Sequence, residues 1–277
     1  STFDNMVESF ERFIQAVDGP KVICSDNASL SAIALKQNVT TYAIHSPAQF
    51  TVRNVQFHDG GSTFDVLRHE TPGDNGHSLG RVTLRLRGEH NVANALGAIA
   101  MAMAFGVGFD VIATALAVFS GVSRRFDSRG NDDGVSFVDD YAHLPMEISA
   151  VLSSCTDETD HWTRVIAVFQ PNRFNRMQHM SDAYADCFAA ADHVVITDIY
   201  SSGTTPIAGV TGKLVVDAIA RAHPDTSIAW KPTRAELIQH LANELRSGDL
   251  CISMGCGDIE TLPDEVIAAR HALRGNS

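Results

Sequence analysis

The chain has 277 residues, of which 44% are hydrophobic and 19% charged, enough apolar material for the cores of two ordinary domains. A formal net charge of −12 at pH 7 argues against the basic face that nucleic acid requires, but leaves room for a nucleotide, which needs only a few local donors. Five scattered cysteines without a C-x-x-C pair favour a reducing cytoplasm over a disulfide framework or a zinc site, and no apolar run reaches the ~20 residues of a membrane span.

The N-terminal Ser-Thr-Phe-Asp has none of the regions of a signal peptide, so the expectation is a cytoplasmic protein without membrane or nucleic-acid partners. Oligomeric state is not legible. Residues 2–17 place Phe3, Met6, Val7, Phe10, Phe13, Ile14 and Val17 at spacings of three and four, which predicts an amphipathic helix packed on a core. Strands are expected at 21–24 and 40–44, with a helix at 28–36 between them. Alternating segments at 50–57, 63–68 and 81–86, the first two joined by His58-Asp-Gly-Gly61, predict a small antiparallel addition. An alanine-rich helix over 89–105 and a second over 111–119 follow.

Residues 121–134 are polar, glycine-bearing and without periodicity, and mark a boundary between domains at 1–123 and 124–277. Beyond it strands near 135–139, 164–169, 193–197, 226–230 and 250–254 alternate with helices near 145–155, 178–190, 212–222, 234–246 and 262–272. That alternation predicts a mainly parallel, Rossmann-like sheet with right-handed crossovers. The fold class is α/β throughout.

Polar, titratable side chains gather where the strand 135–138 ends and Pro145 opens a helix: Asp139, Asp140, Tyr141 and His143. Ligands of α/β sheets bind outside the carboxyl ends of the strands. Successive strand residues face opposite sides, so one aspartate is expected to be structural and the other to hold ribose hydroxyls. His143 is placed to orient a substrate or to take a proton near neutral pH. Arg173 and Arg176 follow the next strand at the same edge, as an anion clamp. Asn91 and Asn94 lie three apart at the start of the alanine-rich helix, where their amides match an adenine edge or, more plainly, cap the helix. Arg124 and Arg125 sit in the boundary segment and suit a phosphate. Two other stretches carry little. Gly255-Cys-Gly257 lacks the third glycine of a dinucleotide fingerprint, and Gly209 to Leu214 lacks both the first glycine and the Ser or Thr of a phosphate loop.

Taken in order, GEHNVANALGAIA, GVSRRFDSRG, VDDYAHLPMEI, FQPNRFNR, TDIYSSG and SMGCGDI resemble the Mur ligases over nearly the whole chain. Within that family the likeness is to members that attach L-alanine to UDP-N-acetylmuramate. The resemblance implies an ATP-dependent amide-bond ligase of peptidoglycan synthesis, working through an acyl phosphate. It implies that His90, Asn91 and Asn94 lie on the adenine side, that Arg125 meets the terminal phosphate, with a part in catalysis beside His143, and that Asp140 meets the ribose. Tyr141, His143, Arg173 and Arg176 would hold the amino acid and the activated carboxylate. Two positions depart from the family pattern, Leu144 and Asn172, where histidines are usual. The resemblance further implies that the chain is the latter part of a central ATP-binding domain plus a C-terminal domain. The glycine-rich phosphate loop, the Mg²⁺ ligands and the UDP-sugar domain would then lie upstream, and this polypeptide would be inactive alone. The rival expectations are a nucleotide-binding or regulatory module without catalysis, and an NAD-linked oxidoreductase permitted by the βα alternation.

Overall fold

The alternating segments fold into two units, Ser1–Gly121 and Val122–Ser277, in a computed structural model that describes residues 3–58, 60–71, 74–156 and 162–275. The expected hairpin residue Asp59, part of the 70–76 loop and residues 157–161 lie wholly or partly outside the described residues.

The first unit runs α1 (Phe3–Ala16), β1 (Val22–Cys24), α2 (Ala28–Ala34), β2 (Thr40–Tyr42), β3 (Phe50–His58), β4 (Gly61–Arg68), β5 (His77–Leu84), α3 (Glu89–Ala104) and α4 (Phe109–Val118). Its five strands form one sheet in the order β1-β2-β3-β4-β5. The first three are parallel and the last three antiparallel, joined by the single pairing of Tyr42 with Phe50. The antiparallel segments therefore continue the α/β sheet. Their inward residues Phe50, Phe64, Val66, Val82 and Leu84 meet Val92, Leu96 and Ile99 of α3 in one core. The small residues of α3 have a reason: a Cβ at Gly97 would lie 2.9 Å from the Tyr42 ring.

One expectation fails here. No residue of α1 is buried, and Phe3, Met6, Phe10 and Phe13 are exposed. Amphipathic spacing sets which face of a helix is apolar, but does not itself supply a surface for that face to meet.

The second unit runs β6 (Asp127–Asp132), β7 (Val135–Asp140), α5 (Pro145–Ser153), β8 (Arg164–Phe169), α6 (Phe174–Met180), β9 (His193–Ile196), α7 (Lys213–Ala222), β10 (Ile228–Trp230), α8 (Arg234–Glu244), β11 (Asp249–Met254) and α9 (Leu262–Gly275). The sheet order is β10-β9-β8-β11-β7-β6, parallel except for the edge strand β6. Strand residues alternate between two cores. Ala167 and Phe169 join Ile148 and Leu152 of α5, Met177 of α6 and Ile219 of α7, while Ile166 and Val168 join Leu237 of α8 and Val266 of α9. Helices on both faces of a parallel sheet make this a doubly wound arrangement.

Two segments differ from expectation. The polar stretch 127–132 is β6, because an exposed edge strand needs only a partner's backbone and no apolar alternation. The helix expected over 178–190 is instead α6, which starts earlier, a 3₁₀ turn at Ser181–Tyr184, and turns beyond it. Ala185, Ala189 and Ala191 each donate to a carbonyl three residues back. This tighter winding still buries Tyr184, Cys187 and Phe188 together, so apolar spacing could not tell the two apart.

Candidate active site

Four parallel strands of the second unit end in one row. Asp140 of β7 pairs with Met254 of β11, Met254 with Phe169 of β8, and Phe169 with Ile196 of β9. The loops that follow therefore share one edge of the sheet. They carry Tyr141 and His143, Gly255 and Gly257, Arg173, and Tyr200. The strand order also reverses here, since β11 returns between β7 and β8, and that is where α/β sheets open a crevice.

The two aspartates do different things. Asp139 is fully buried and accepts from Arg124 Nε at 3.0 Å and from Ser253 Oγ at 3.2 Å. Arg124 also donates to the carbonyl of Gly255 at 2.8 Å and pairs with Glu260 at 3.1 Å. It thus ties the β6 side of the edge to the loop after β11. Asp140 is 2% exposed, and its two oxygens accept from the amides of Phe126 at 2.8 Å and Ala142 at 2.7 Å. Burial pushes both carboxyls above the usual range, with Arg124 opposing this at Asp139 and the two backbone donors and Arg125 opposing it at Asp140. Asp140 thereby fixes the turn that presents Arg125. Each carboxylate oxygen has a second lone pair, so a ribose hydroxyl is chemically compatible with these bonds.

Arg124 and Arg125 both lie over the ring of Tyr141, at 5.1 and 5.5 Å from its centroid. Arg124 and Phe126 hold positive φ, so the chain turns sharply on either side of Arg125, which is exposed. Tyr141 meets His143 edge to face at 5.4 Å. His143 Nδ1 lies 3.0 Å from the Tyr141 carbonyl, an acceptor only, so Nδ1 carries the hydrogen and Nε2 the lone pair. Leu144, at the N-cap of α5, has no acceptor to offer. Glu147 compensates by taking the amides of His143 at 2.9 Å and Leu144 at 3.1 Å. The phenol of Tyr184 donates to the carbonyl of His143.

Arg173 adopts positive φ at 64°, is exposed, and its amide donates to the Tyr200 carbonyl at 2.9 Å. Arg176 donates to Asn172 Oδ1 at 2.7 Å, so the residue that departs from the family pattern orients an arginine. Gly257 is needed for packing, since a Cβ there would lie 2.4 Å from Tyr200. Gln170 donates to Asp258 at 2.8 Å while its buried Oε1 has no hydrogen-bond partner.

In the first unit, Asn91 donates back to the Arg87 carbonyl at 2.8 Å, and Asn94 donates to Asn91 Oδ1 at 3.4 Å. Neither amide caps α3, whose N-cap is Gly88. His90 lies 3.1 Å from the Asn91 amide nitrogen. The structure thus gathers Arg125, Asp140, Tyr141, His143, Arg173 and Arg176 around the edge of one unit, and His90, Asn91 and Asn94 on the first turns of a helix in the other. Glu147 and Tyr184 were not singled out by motif, and Arg124, expected with Arg125 to suit a phosphate, is instead engaged by Asp139, Glu260 and the Gly255 carbonyl. A glutamate three residues after an uncapped N-cap was the available signal for Glu147; for Tyr184 there was none beyond apolar spacing.

Residues 1–102 match the Mur ligase middle domain, and residues 124–257 the Mur ligase, glutamate ligase domain. The chain belongs to the Mur ligase family. Curated relatives include UDP-N-acetylmuramate–L-alanine ligases of Nostoc punctiforme, 34% identical over 270 residues, and of Acaryochloris marina, 37% identical over 273. These alignments cover 97% and 95% of this chain and 54% of each relative, so the chain spans about half the length of the curated relatives it matches. Among solved structures, a UDP-N-acetylmuramate–alanine ligase of Thermotoga maritima aligns with 99% of this chain and 56% of its own, at a TM-score of 0.75 and 21% identity. A MurF ligase of the same organism, solved in complex with ADP, aligns with 98% of this chain and 59% of its own, at a TM-score of 0.68 and 14% identity. At such identities the Thermotoga structures speak for the fold. Among the described residues no helix is long and apolar enough to cross a membrane.

Proposed function

We propose that this chain handles nucleotide and amino acid in a cytoplasmic, ATP-dependent ligase joining L-alanine to UDP-N-acetylmuramate in peptidoglycan synthesis. The observation that carries this reading is the single row of strand ends from Asp140 to Ile196, with cationic and imidazole side chains on the loops that follow. The kinship with named alanine ligases supports the choice of substrates.

In this reading the substrate carboxylate takes the terminal phosphoryl group of ATP and ADP leaves. The amine of alanine then attacks the acyl carbon, the bond to the phosphate oxygen breaks, and phosphate departs. Arg125 neutralises the terminal phosphate, and Arg173 and Arg176 hold the carboxylate of alanine and the acyl phosphate. His143 Nε2, which carries the lone pair, takes the proton released from the amine, while Tyr141 walls the site. His90, Asn91 and Asn94 read the adenine, and Asp140 meets the ribose through its remaining lone pairs. Among the described residues no group of three or more His, Cys, Asp or Glu side chains could hold a metal ion, and no step is assigned to the Mg²⁺ expected of phosphoryl transfer.

Calorimetric titration with ATP, ADP and NAD tests the reading. ATP and ADP should bind, and Arg125→Ala should weaken ATP about tenfold while touching ADP less, as a charge-assisted hydrogen bond of about 1.5 kcal/mol requires. Binding of NAD with no binding of ATP would overturn it.

A further inference from the structure

One buried acceptor at the strand-end edge takes no part in the steps proposed for ligation. Gln170 directly follows Phe169, and its backbone amide donates to the Met254 carbonyl at 3.0 Å, which holds it between the ends of β8 and β11. The residue is only 9% exposed. Its Nε2 donates to Asp258 Oδ1 at 2.8 Å, and an ionised carboxylate only accepts, so the two ends of the amide are assigned, nitrogen to Asp258 and oxygen away from it. That oxygen is buried and has no hydrogen-bond partner among the described residues. A buried acceptor without a donor costs stability, which a donor brought by a ligand would recover.

An aromatic ring lies beside this oxygen. A Cβ on Gly257 would lie 2.4 Å from Tyr200 Cγ and 2.6 Å from Gln170 Oε1, so the ring and the amide oxygen crowd the same side of that glycine. Tyr200 is 37% exposed and begins a turn in which Ser202 and Gly203 hold positive φ. Its backbone is tied to the arginine loop. The Tyr200 amide donates to the Pro171 carbonyl and the Arg173 amide to the Tyr200 carbonyl, each at 2.9 Å. The main chain is thus fixed, while the partly exposed ring is free to turn about its Cα–Cβ bond and uncover Oε1.

We propose that Gln170 Oε1 is the acceptor for the α-amine of alanine, uncovered when the Tyr200 ring turns aside. The assignment rests on the amino-acid site proposed at this edge, where Arg173 and Arg176 supply charge for a carboxylate but no acceptor holds the amine in place. In an amino acid the two groups are one carbon apart, so their receptors must be neighbours, and Gln170, Arg173 and Arg176 share the stretch 170–176 after β8. The choice of an amide has a chemical consequence. A carboxylate would favour the ammonium form by its charge, whereas a neutral carbonyl orients an N–H and leaves the nitrogen free to give its proton to His143. The carboxylate of Asp258 is engaged by Nε2 instead.

L-Alanine and propionate, which keeps the carboxylate and the methyl group but lacks the amine, separate the two receptors. By calorimetry the wild-type chain should bind both. Gln170→Leu should weaken alanine about tenfold, the worth of a hydrogen bond to a charged donor, and leave propionate unchanged. Arg176→Ala should weaken both ligands alike. Should Gln170→Leu fold poorly, the wild type still decides, because its Gln170 side-chain amide resonances should shift with alanine and stay in place with propionate. Equal losses of the two ligands in Gln170→Leu, or amide resonances that alanine leaves unmoved, overturn the proposal while the amino-acid site stands. Alanine that fails to bind the wild-type chain overturns the site and the proposal together.

Discussion

The Tyr184 hydroxyl donates to the carbonyl of His143 at 2.9 Å, and through it the core of the second unit holds the loop that carries the candidate proton acceptor. Tyr184 is fully buried, stacks on Phe169 at 5.5 Å, and its phenol is pushed up to about 12 by burial. It therefore stays protonated and remains a donor. The positive charge of Arg176 opposes that rise. Tyr184→Phe should cost about 1 kcal/mol of stability, the net worth of one such bond. Urea unfolding reads that cost. Under the proposed reading, alanine should bind the variant about fivefold more weakly in calorimetry, as a loss of about 1 kcal/mol implies, because the variant loosens the loop that carries His143.

Arg124 and Asp139 make a second anchor. Removing one partner of a buried ion pair strands the other, a loss of about 3–5 kcal/mol. Arg124→Ala should therefore be strongly destabilised in denaturant melts, and adding Asp139→Asn should recover part of the loss. A double variant no more stable than Arg124→Ala would mean that the carbonyl contacts of Arg124, and not its charge, hold the edge together.

Much of this architecture is legible in the amino-acid sequence. The strands of the second unit are short apolar runs buried on both faces, and such runs announce themselves, as Val165 to Phe169 do. The loops that follow could be placed at one edge from βα alternation alone. What could not be read was how the charges pair. Arg124 and Arg125 are adjacent and chemically identical, yet one is half-buried against Asp139 and the other exposed. The positive φ of Arg124 separates them, and no residue type signals that in an arginine. Asn91 and Asn94 were assigned a shared face by spacing, but Asn91 turns back to the Arg87 carbonyl, a choice made by local backbone geometry.

The carboxylate of Asp132 anchors α9 to the sheet, accepting from Arg270 at 2.8 Å and Arg274 at 3.0 Å and lying 2.8 Å from His271. Those partners, Arg274 foremost, hold it well below the usual carboxylate range. A folded pKa below the unfolded one adds stability that is present above the unfolded value, near pH 3.9, and disappears as pH falls through the folded value. Asp132→Asn should be about 3 kcal/mol less stable at pH 7, mainly because buried Arg270 loses its partner. The gap between wild type and variant should narrow steadily as melts are taken from pH 5 toward pH 2. A constant gap would assign the loss to packing instead of charge.

The five thiols should divide sharply in reactivity. Cys155, Cys187 and Cys251 are buried, and burial pushes Cys187 and Cys251 up to about 12, far from the thiolate form that alkylating agents need. Cys24 follows β1's Ile23 at a partly open strand end, and Cys256 lies in the loop between Gly255 and Gly257, also partly open. Iodoacetamide at pH 8 followed by peptide mapping should therefore label Cys24 and Cys256 in the native chain and the other three only after unfolding. Because Cys256 stands beside the glycines that Arg124 grips, a nucleotide or alanine occupying the proposed edge should slow labelling of Cys256 severalfold and leave Cys24 unchanged in the amino-acid case. Equal protection of both thiols by alanine would mean that the amino acid does not bind at the edge formed by Tyr141, His143 and Arg176.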